Sequence, residues 1–397
     1  MLSEIVLILA GHPSSYLEEV PEGSSNPSSS PASVLNALHA SVHAKEHIPL
    51  HPGERVQLNY LATLAHKRST ISGFARSQLE QARRRALKQA SVRPGSRRQV
   101  ALGPDDNDKD VTSHLAPLCG QILRYLEQYD DLVVDMESRI LRRDAYIVGA
   151  RSYVSLATLR AEMQVWDSRL AALSQLVETL IKGPQSDASE QEDEQSPRPA
   201  AGLQGWTGGL LIDLLSRMTA TGVTRVASMM ESLRDAVEDS WKILLKDWIC
   251  EGVANGSPIS LGSSYVSQGP DALVEQDKAA TEQTGRSSWR LRPWSLPSSI
   301  SSVTADAILY IGRAISRVKT HSDMGHLPAA LVASHAESIR SDAMRPSRPH
   351  AFAKAVLDIK QDVGEWLWRN VLTDQAVLSA LNDLYVASLF SLSYFPR

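Results

Sequence analysis

An all-α fold of elongated helical bundles with long antiparallel helical hairpins is what this sequence predicts, on three observations. Leu115, Cys119, Ile122, Leu126, Tyr129, Val133, Met136 and Ile140 follow one another at alternating spacings of four and three, and so do Leu156, Leu159, Met163, Trp166, Leu170, Leu173, Val177 and Leu180. Such a repeat makes a seam for another helix. A third stripe, Val226, Met230, Leu233, Val237, Trp241, Leu244 and Trp248, keeps helical spacing. No run of alternating β-branched residues interrupts this pattern, so strands are not expected.

Taken in order, Leu2 to Ala10 is apolar but interrupted by Glu4, too short to span a bilayer, and reads as a buried N-terminal helix. Pro21 to Ser33 is rich in Ser and Pro and reads as a loop. Helical patterning resumes at Val34. From Glu54 to about Gln89, the positions Val56, Leu61, Leu64, Ile71, Phe74, Leu79 and Leu87 give one long helix or two, with Gly73 as a candidate kink. The linker from Ser91 to Thr112 ends in Asp105, Asp106, Asp108 and Asp110, at the start of the first heptad helix, where the helix dipole favours carboxylates.

Between the two heptads, Asp144 to Ser155 contains Gly149 and enough β-branched residues to reverse the chain, so residues 113–182 read as an antiparallel hairpin closing an N-terminal bundle, 1–182. The stripe at Val226 to Trp248 supplies the third partner that such a hairpin needs. The expected order beyond residue 182 is an acidic disordered linker at 183–202, a helical continuation at 203–252, a disordered loop at 253–288, and a second bundle at 289–397. Within that second bundle, helices are expected near Val303 to Thr320, His326 to Arg340, Ala351 to Val371 and Asp374 to Leu392.

Composition narrows the function. With 397 residues and 43% apolar content the chain can bury a large core, and a net charge of −4 gives no bias toward nucleic acid or an anionic membrane. The two cysteines, Cys119 and Cys250, sit at apolar helical positions and imply a reducing compartment. No phosphate-binding glycine loop, nucleophile elbow, H-E-x-x-H or C-x-x-C is present. No catalytic, cofactor-binding or metal-binding residues are therefore assigned, and the chain is not read as an enzyme.

Two clusters need weighing. His39, His43, His47 and His51 recur every four residues, a spacing that aligns imidazoles on one helix, but Pro49 and Pro52 break that helix and no Cys joins the set; a solvated face is the favoured reading over zinc. Lys67, Arg68, Arg76, Arg83, Arg84, Arg85, Lys88, Arg93, Arg97 and Arg98 form a basic run with Glu80 as its only acid. Without interleaved aromatics after Phe74, an acidic protein surface is favoured over nucleic acid. Candidate partner contacts are Arg139, Arg142 and Arg143, near the hairpin tip beside Asp144, and Trp366 and Trp368, which cannot share a helix face two residues apart.

Several segments together resemble the γ-tubulin complex component family. The opening Met1-Leu-Ser-Glu-Ile-Val-Leu-Ile-Leu-Ala-Gly-His-Pro13 is similar to the start of its short member, component 4; Tyr146 to Leu180, Gly208 to Gly252 and Leu296-Pro297 to Lys319 are similar to later helical blocks. In place of the acidic-aromatic segment that the family carries after Gly252, Val253 to Gln268 is rich in Gly and Ser. The resemblance implies an N-terminal, laterally assembling half, with residues 390–397 falling about where a γ-tubulin-binding C-terminal half begins. It implies other γ-tubulin complex components as partners, γ-tubulin itself only indirectly or through that further half, and neither membrane nor nucleic acid. It also implies a scaffold in the cytoplasm at a microtubule organising centre or spindle pole. The rivals are a helical tether of a vesicle-trafficking complex and a basic nucleic-acid-binding helical protein.

Overall fold

The computed structural model describes residues 2–12, 14, 17–20, 31–45, 50–91, 114–148, 154–184, 202–252, 272–276, 289–320 and 327–370. The fold is all-α. It divides into two compact units, Met1–Val237 and Glu238–Arg397, with the boundary inside one helix.

In the first unit, α1 (Leu2–Leu9) and α2 (Pro31–His39) are short, and α3 (Pro52–Ser91) is a single uninterrupted helix. Next come α4 (Leu115–Leu141), α5 (Leu156–Met163) and α6 (Asp167–Lys182), then α7 (Gly208–Thr219) and α8 (Thr224–Glu251), which crosses into the second unit. The N-terminal stretch is a buried helix as expected, with Ile5, Ile8 and Leu9 in the core. Gly73 does not interrupt α3, and a Cβ there would meet nothing within 4 Å.

Both heptads are buried as their spacing requires, except at the turn end, where Ile140 and Leu156 are half-buried. Leu115 through Met136 line the inner face of α4, and Leu159, Met163, Trp166, Leu170, Leu173, Val177 and Leu180 that of the second stretch. The partner they face differs from the expectation. The main neighbour of each is α3, which packs on α4, on α5 and on α6. Its own residues explain this: Leu58, Leu61, Ala62, Leu64, Ala65, Ile71, Phe74 and Ala75 are all buried. At 100° per residue these positions cover about 240° of the helix circumference, far more than the stripe one neighbour needs. The alanines matter because they carry little hydrophobic signal yet allow close approach. Val56 and Leu87, two of the apolar positions that mark this helix in the sequence, are exposed.

The two heptad stretches still touch in antiparallel order. Trp166 meets the Tyr129 ring edge-on at 5.5 Å, and Arg139 lies 3.9 Å from Glu162. The second stretch is not one helix, because a 3₁₀ turn at Gln164–Trp166 separates α5 from α6 and re-aims Trp166. Arg68, expected in a basic run that meets an acidic protein surface, is instead buried on α3, paired with Asp130 of α4 and directed at the Ala10 carbonyl. A second α4 contact, Gln121 Nε2 to Ser232 Oγ at 2.8 Å, reaches α8.

Capping explains where the helices begin. Ser155 starts α5 by accepting from the Ala157 amide, and Thr207 starts α7 by accepting from Leu210. The Trp206 indole donates to the Leu180 carbonyl at 2.9 Å, satisfying an open acceptor near the end of α6. Gly183 and Gly202, both at positive φ, approach so closely that a Cβ on Gly183 would strike the Gly202 backbone. Most of the expected acidic linker, 185–201, lies outside the described residues; its two ends are held together by this contact.

Strands do occur, against expectation, as two small antiparallel pairs. β1 (Leu17–Val20) pairs with β2 (Ser41–Ala44), Leu17 opposite Ala44 and Val20 opposite Ser41. β2 lies on α3 and buries Val42 and Ala44. β3 (Val274–Gln276) pairs with β4 (Trp289–Leu291), placing an ordered strand inside the stretch expected to be a loop, 253–288.

In the second unit, the end of α8 meets α9 (Ser302–Thr320) and α11 (Pro349–Asn370), and α10 (Ala329–Arg340) lies between them in the sequence. Two buried tryptophans of α8 anchor it: Trp241 donates to the Ser295 carbonyl and Trp248 to the Ile308 carbonyl, each at 3.0 Å. Trp248 also meets the Trp289 ring at 5.8 Å, and Trp241 the Phe352 ring at 6.0 Å. Fully buried Glu238 is met by Arg345 at 3.4 Å and accepts from the Ser347 amide at 3.2 Å. A helix expected at 374–392 lies outside the described residues.

Two predictions follow from the packing. Any Cβ on Gly312 would overlap the Trp248 indole. Gly312→Ala is therefore expected to cost about 1–3 kcal/mol, whereas Gly73→Ala adds about 0.5–1 kcal/mol, read as opposite shifts of the urea midpoint. Burial pushes the Cys119 thiol up to about 12 and the Cys250 thiol to about 11. Near pH 8 only about one Cys119 in ten thousand is thiolate. A thiol-titrating reagent should find neither cysteine in the folded protein and both after denaturation.

Candidate partner-binding surface

The end of α4 is closed by hydrogen bonds that stop the helix and fold the chain back. The Arg143 amide donates to the Ile140 carbonyl and the Asp144 amide to the Arg139 carbonyl, each at 3.0 Å. This paired closure requires a left-handed residue between cap and exit, a place where glycine is usual. Here Arg143 occupies it, with φ of 54°. Such a conformation costs a side-chain-bearing residue about 1–2 kcal/mol.

Around this turn the surface is both apolar and cationic. Leu141 is 76% exposed and Tyr146 71%, Val134 lies one heptad before Leu141, and Arg142 and Arg143 are exposed beside them. The turn is firmly built. Arg139 Nε donates to Asp144 at 3.1 Å, with Glu162 and Asp135 each 3.9 Å from its guanidinium, and it sits 5.5 Å from the Tyr146 ring centroid. The Asp144 carboxylate also accepts from the Tyr146 amide at 3.0 Å. These bonds hold its carboxyl below the usual range, the Tyr146 amide contributing most and Arg139 next. Ile147 is buried just beyond, and Val148 pairs with Val154 to complete the reversal.

The sequence-derived candidates thus divide into separate roles. Arg139 is an internal brace for Tyr146, while Arg142 and Arg143 remain available. Trp366 and Trp368 lie on α11, in the other unit, with Trp366 half-buried and Trp368 67% exposed. Tyr146 and Leu141 were absent from the sequence-derived set. Their signal was present, because Val134 and Leu141 are apolar, seven apart and off the α4 seam.

Other chemistry finds less support. His39 ends α2, His43 is on β2 with Nδ1 3.1 Å from Asn59, and His51 precedes α3 with Nδ1 accepting from Gly53. The four-residue ladder is therefore spread over different elements; His47 lies outside the described residues. On α3, Arg76, Arg83 and Arg84 are exposed, Arg84 pairing with Glu80 at 3.1 Å. Among the described residues no helix is long and apolar enough to cross a membrane.

Comparison with known proteins places this architecture. A family model described as gamma tubulin complex component N-terminal matches residues 2–373. Gamma-tubulin complex component gfh1 of Schizosaccharomyces pombe is 29% identical over 173 residues, 44% of this chain and 23% of that protein. The matched stretch thus spans less than a quarter of that curated relative. With the family model running through both units and nearly the whole chain, the protein belongs to the γ-tubulin complex component N-terminal family.

Proposed function

We propose that this chain is a non-enzymatic scaffold subunit of a γ-tubulin complex, packing side by side with related subunits and so supporting microtubule nucleation at organising centres such as the spindle pole. The observation that carries this is the family match across residues 2–373. The mechanism is geometric. A subunit that sets the spacing of its neighbours must resist bending, and the burial of α3 against α4, α5 and α6 supplies that stiffness. No reaction is assigned to it. γ-Tubulin is reached through the assembled complex or a further C-terminal half, and the place of action is the cytoplasm at the microtubule organising centre.

Within this reading the α4 turn is the contact surface for a related subunit. Tyr146 supplies an amphipathic ring already fixed by Arg139, and Leu141 with Val134 supplies apolar area around it. Fixed aromatics bind well because little side-chain freedom is lost on association. Arg142 and Arg143 fit a carboxylate-bearing rim on the neighbour.

Affinity capture with the full chain as bait, in parallel with sedimentation on liposomes, tests the scaffold reading. Recovery of other γ-tubulin complex components without liposome binding is expected; liposome binding without those components overturns it in favour of a trafficking tether. The contact surface has its own test. Arg143→Gly relieves the left-handed strain and is expected to raise stability by about 0.5–1 kcal/mol. The same change should lower capture of the related subunits. Tyr146→Ala should weaken that capture about tenfold or more. Unchanged capture by both variants would remove the turn from the interface.

A further inference from the structure

Two exposed charge stripes of opposite sign lie on neighbouring helices of the first unit. Along the outer side of α3, Arg76, Glu80, Arg83, Arg84 and Leu87 are exposed, and with Ser69 and Gly73 they fall within about 100° of helix circumference. Three arginines against one glutamate make this stripe cationic. Glu80 is taken by Arg84 at 3.1 Å, and Arg76 and Arg83 have no anionic partner among the described residues. On α4, Glu127, Asp131 and Asp135 are exposed at successive intervals of four, on the side opposite the buried seam. Like charges at that spacing repel one another. Glu127 and Asp131 have no cationic partner among the described residues, and Asp135 has only the 3.9 Å approach of Arg139.

Helix geometry puts both stripes on one face. Arg68 of α3 meets Asp130 of α4; further along α4, Arg139 reaches Glu162 of α5, and Arg160 of α5 reaches Gln57 near the start of α3. The two helices therefore run antiparallel. Counted from Arg68 on one and Asp130 on the other, the centre of each stripe is rotated by about 100°. Equal rotations on helices of opposite direction point to the same side. The acidic stripe is centred level with Arg68, and the cationic one near Glu80, about 18 Å further along α3. Between them lie Gly73, exposed and with open space at its Cβ position, and Arg124, bonded to Gln121 at 3.1 Å.

We propose that this face joins two copies of the chain about a two-fold axis through its middle, with Arg83 and Arg84 of each copy meeting Glu127 and Asp131 of the other. The partner is a second copy because the two ends of the one face are complementary to each other, and a half-turn brings each end over its opposite. The face is about 30 Å long and two helices, about 20 Å, wide, so two copies bury about 1,200 Å² in all, the lower end of the range for stable interfaces. It is separate from the α4 turn and stands apart from the scaffold reading.

Sedimentation equilibrium of the full chain tests this. A monomer–dimer equilibrium without larger species is expected, its dissociation constant rising about tenfold or more between about 0.05 M and about 0.5 M salt. Arg83→Glu with Arg84→Glu, and separately Glu127→Arg with Asp131→Arg, should each give a monomer of unchanged helical circular dichroism. Mixing these two variants should restore the dimer, because every contact then pairs opposite charges again. A wild-type chain that stays monomeric at about 100 μM overturns the proposal, as does a mixture of the variants that stays monomeric. Growth of the wild type beyond a dimer overturns the two-fold arrangement. None of these readouts depends on capture of related subunits, so failure of this dimer and failure of the scaffold reading are told apart.

Discussion

The burial of α3 on two sides is the constraint from which the rest of the first unit follows. A helix with one apolar stripe can be peeled from its partner, whereas one buried over most of its circumference is held by several neighbours at once. α4, α5 and α6 all pack on it, as do β2 and α2. Ala62, Ala65 and Ala75 let these neighbours approach closely. The Arg68–Asp130 pair then ties α3 to α4 within this packing. Removing either partner leaves a buried or half-buried charge without its counterion, so breaking the pair destabilises this packing.

The second unit solves a related problem with indoles. Trp241 and Trp248 are large enough to fill helix junctions, but each brings an N–H that must be satisfied inside the protein. Both find backbone carbonyls, at Ser295 and Ile308, so the same side chain supplies apolar volume and a directional tie. Gly312 is the counterpart of Trp248, since the absence of its side chain admits the ring. Glu238 adds a polar tie at the start of this unit, where its carboxylate meets Arg345 and Ser347.

Much of this was legible in the chain. The two heptads and the stripe at Val226 to Trp248 gave the long helices and their buried faces, because leucine, isoleucine and tryptophan at regular spacing leave a strong periodic signal. The central role of α3 was harder to read, since alanine and a buried arginine contribute little to a hydrophobic pattern. The 3₁₀ turn at Gln164–Trp166 preserves the heptad count while breaking the helix, so spacing alone cannot reveal it. β1 and β2 are four residues each, below the length at which alternation is recognisable. At the candidate surface, Arg139, Arg142 and Arg143 were found by charge, but their different roles depend on Asp144 and Glu162, which only the folded turn brings to Arg139.

That division of roles bears on how such a surface works. An exposed tyrosine is ordinarily free to rotate, and ordering it on binding costs conformational entropy. Tyr146 is already constrained from two directions, by Arg139 at its ring and by Asp144 at its amide. Arg139 is in turn fixed by three carboxylates. The ordering cost has therefore been met during folding, and a partner that packs on Tyr146 meets a surface whose shape is set beforehand. The strained Arg143 fits the same logic. Glycine would close α4 with less strain, but it would leave the turn without the cation that stands next to the exposed Leu141 and Tyr146.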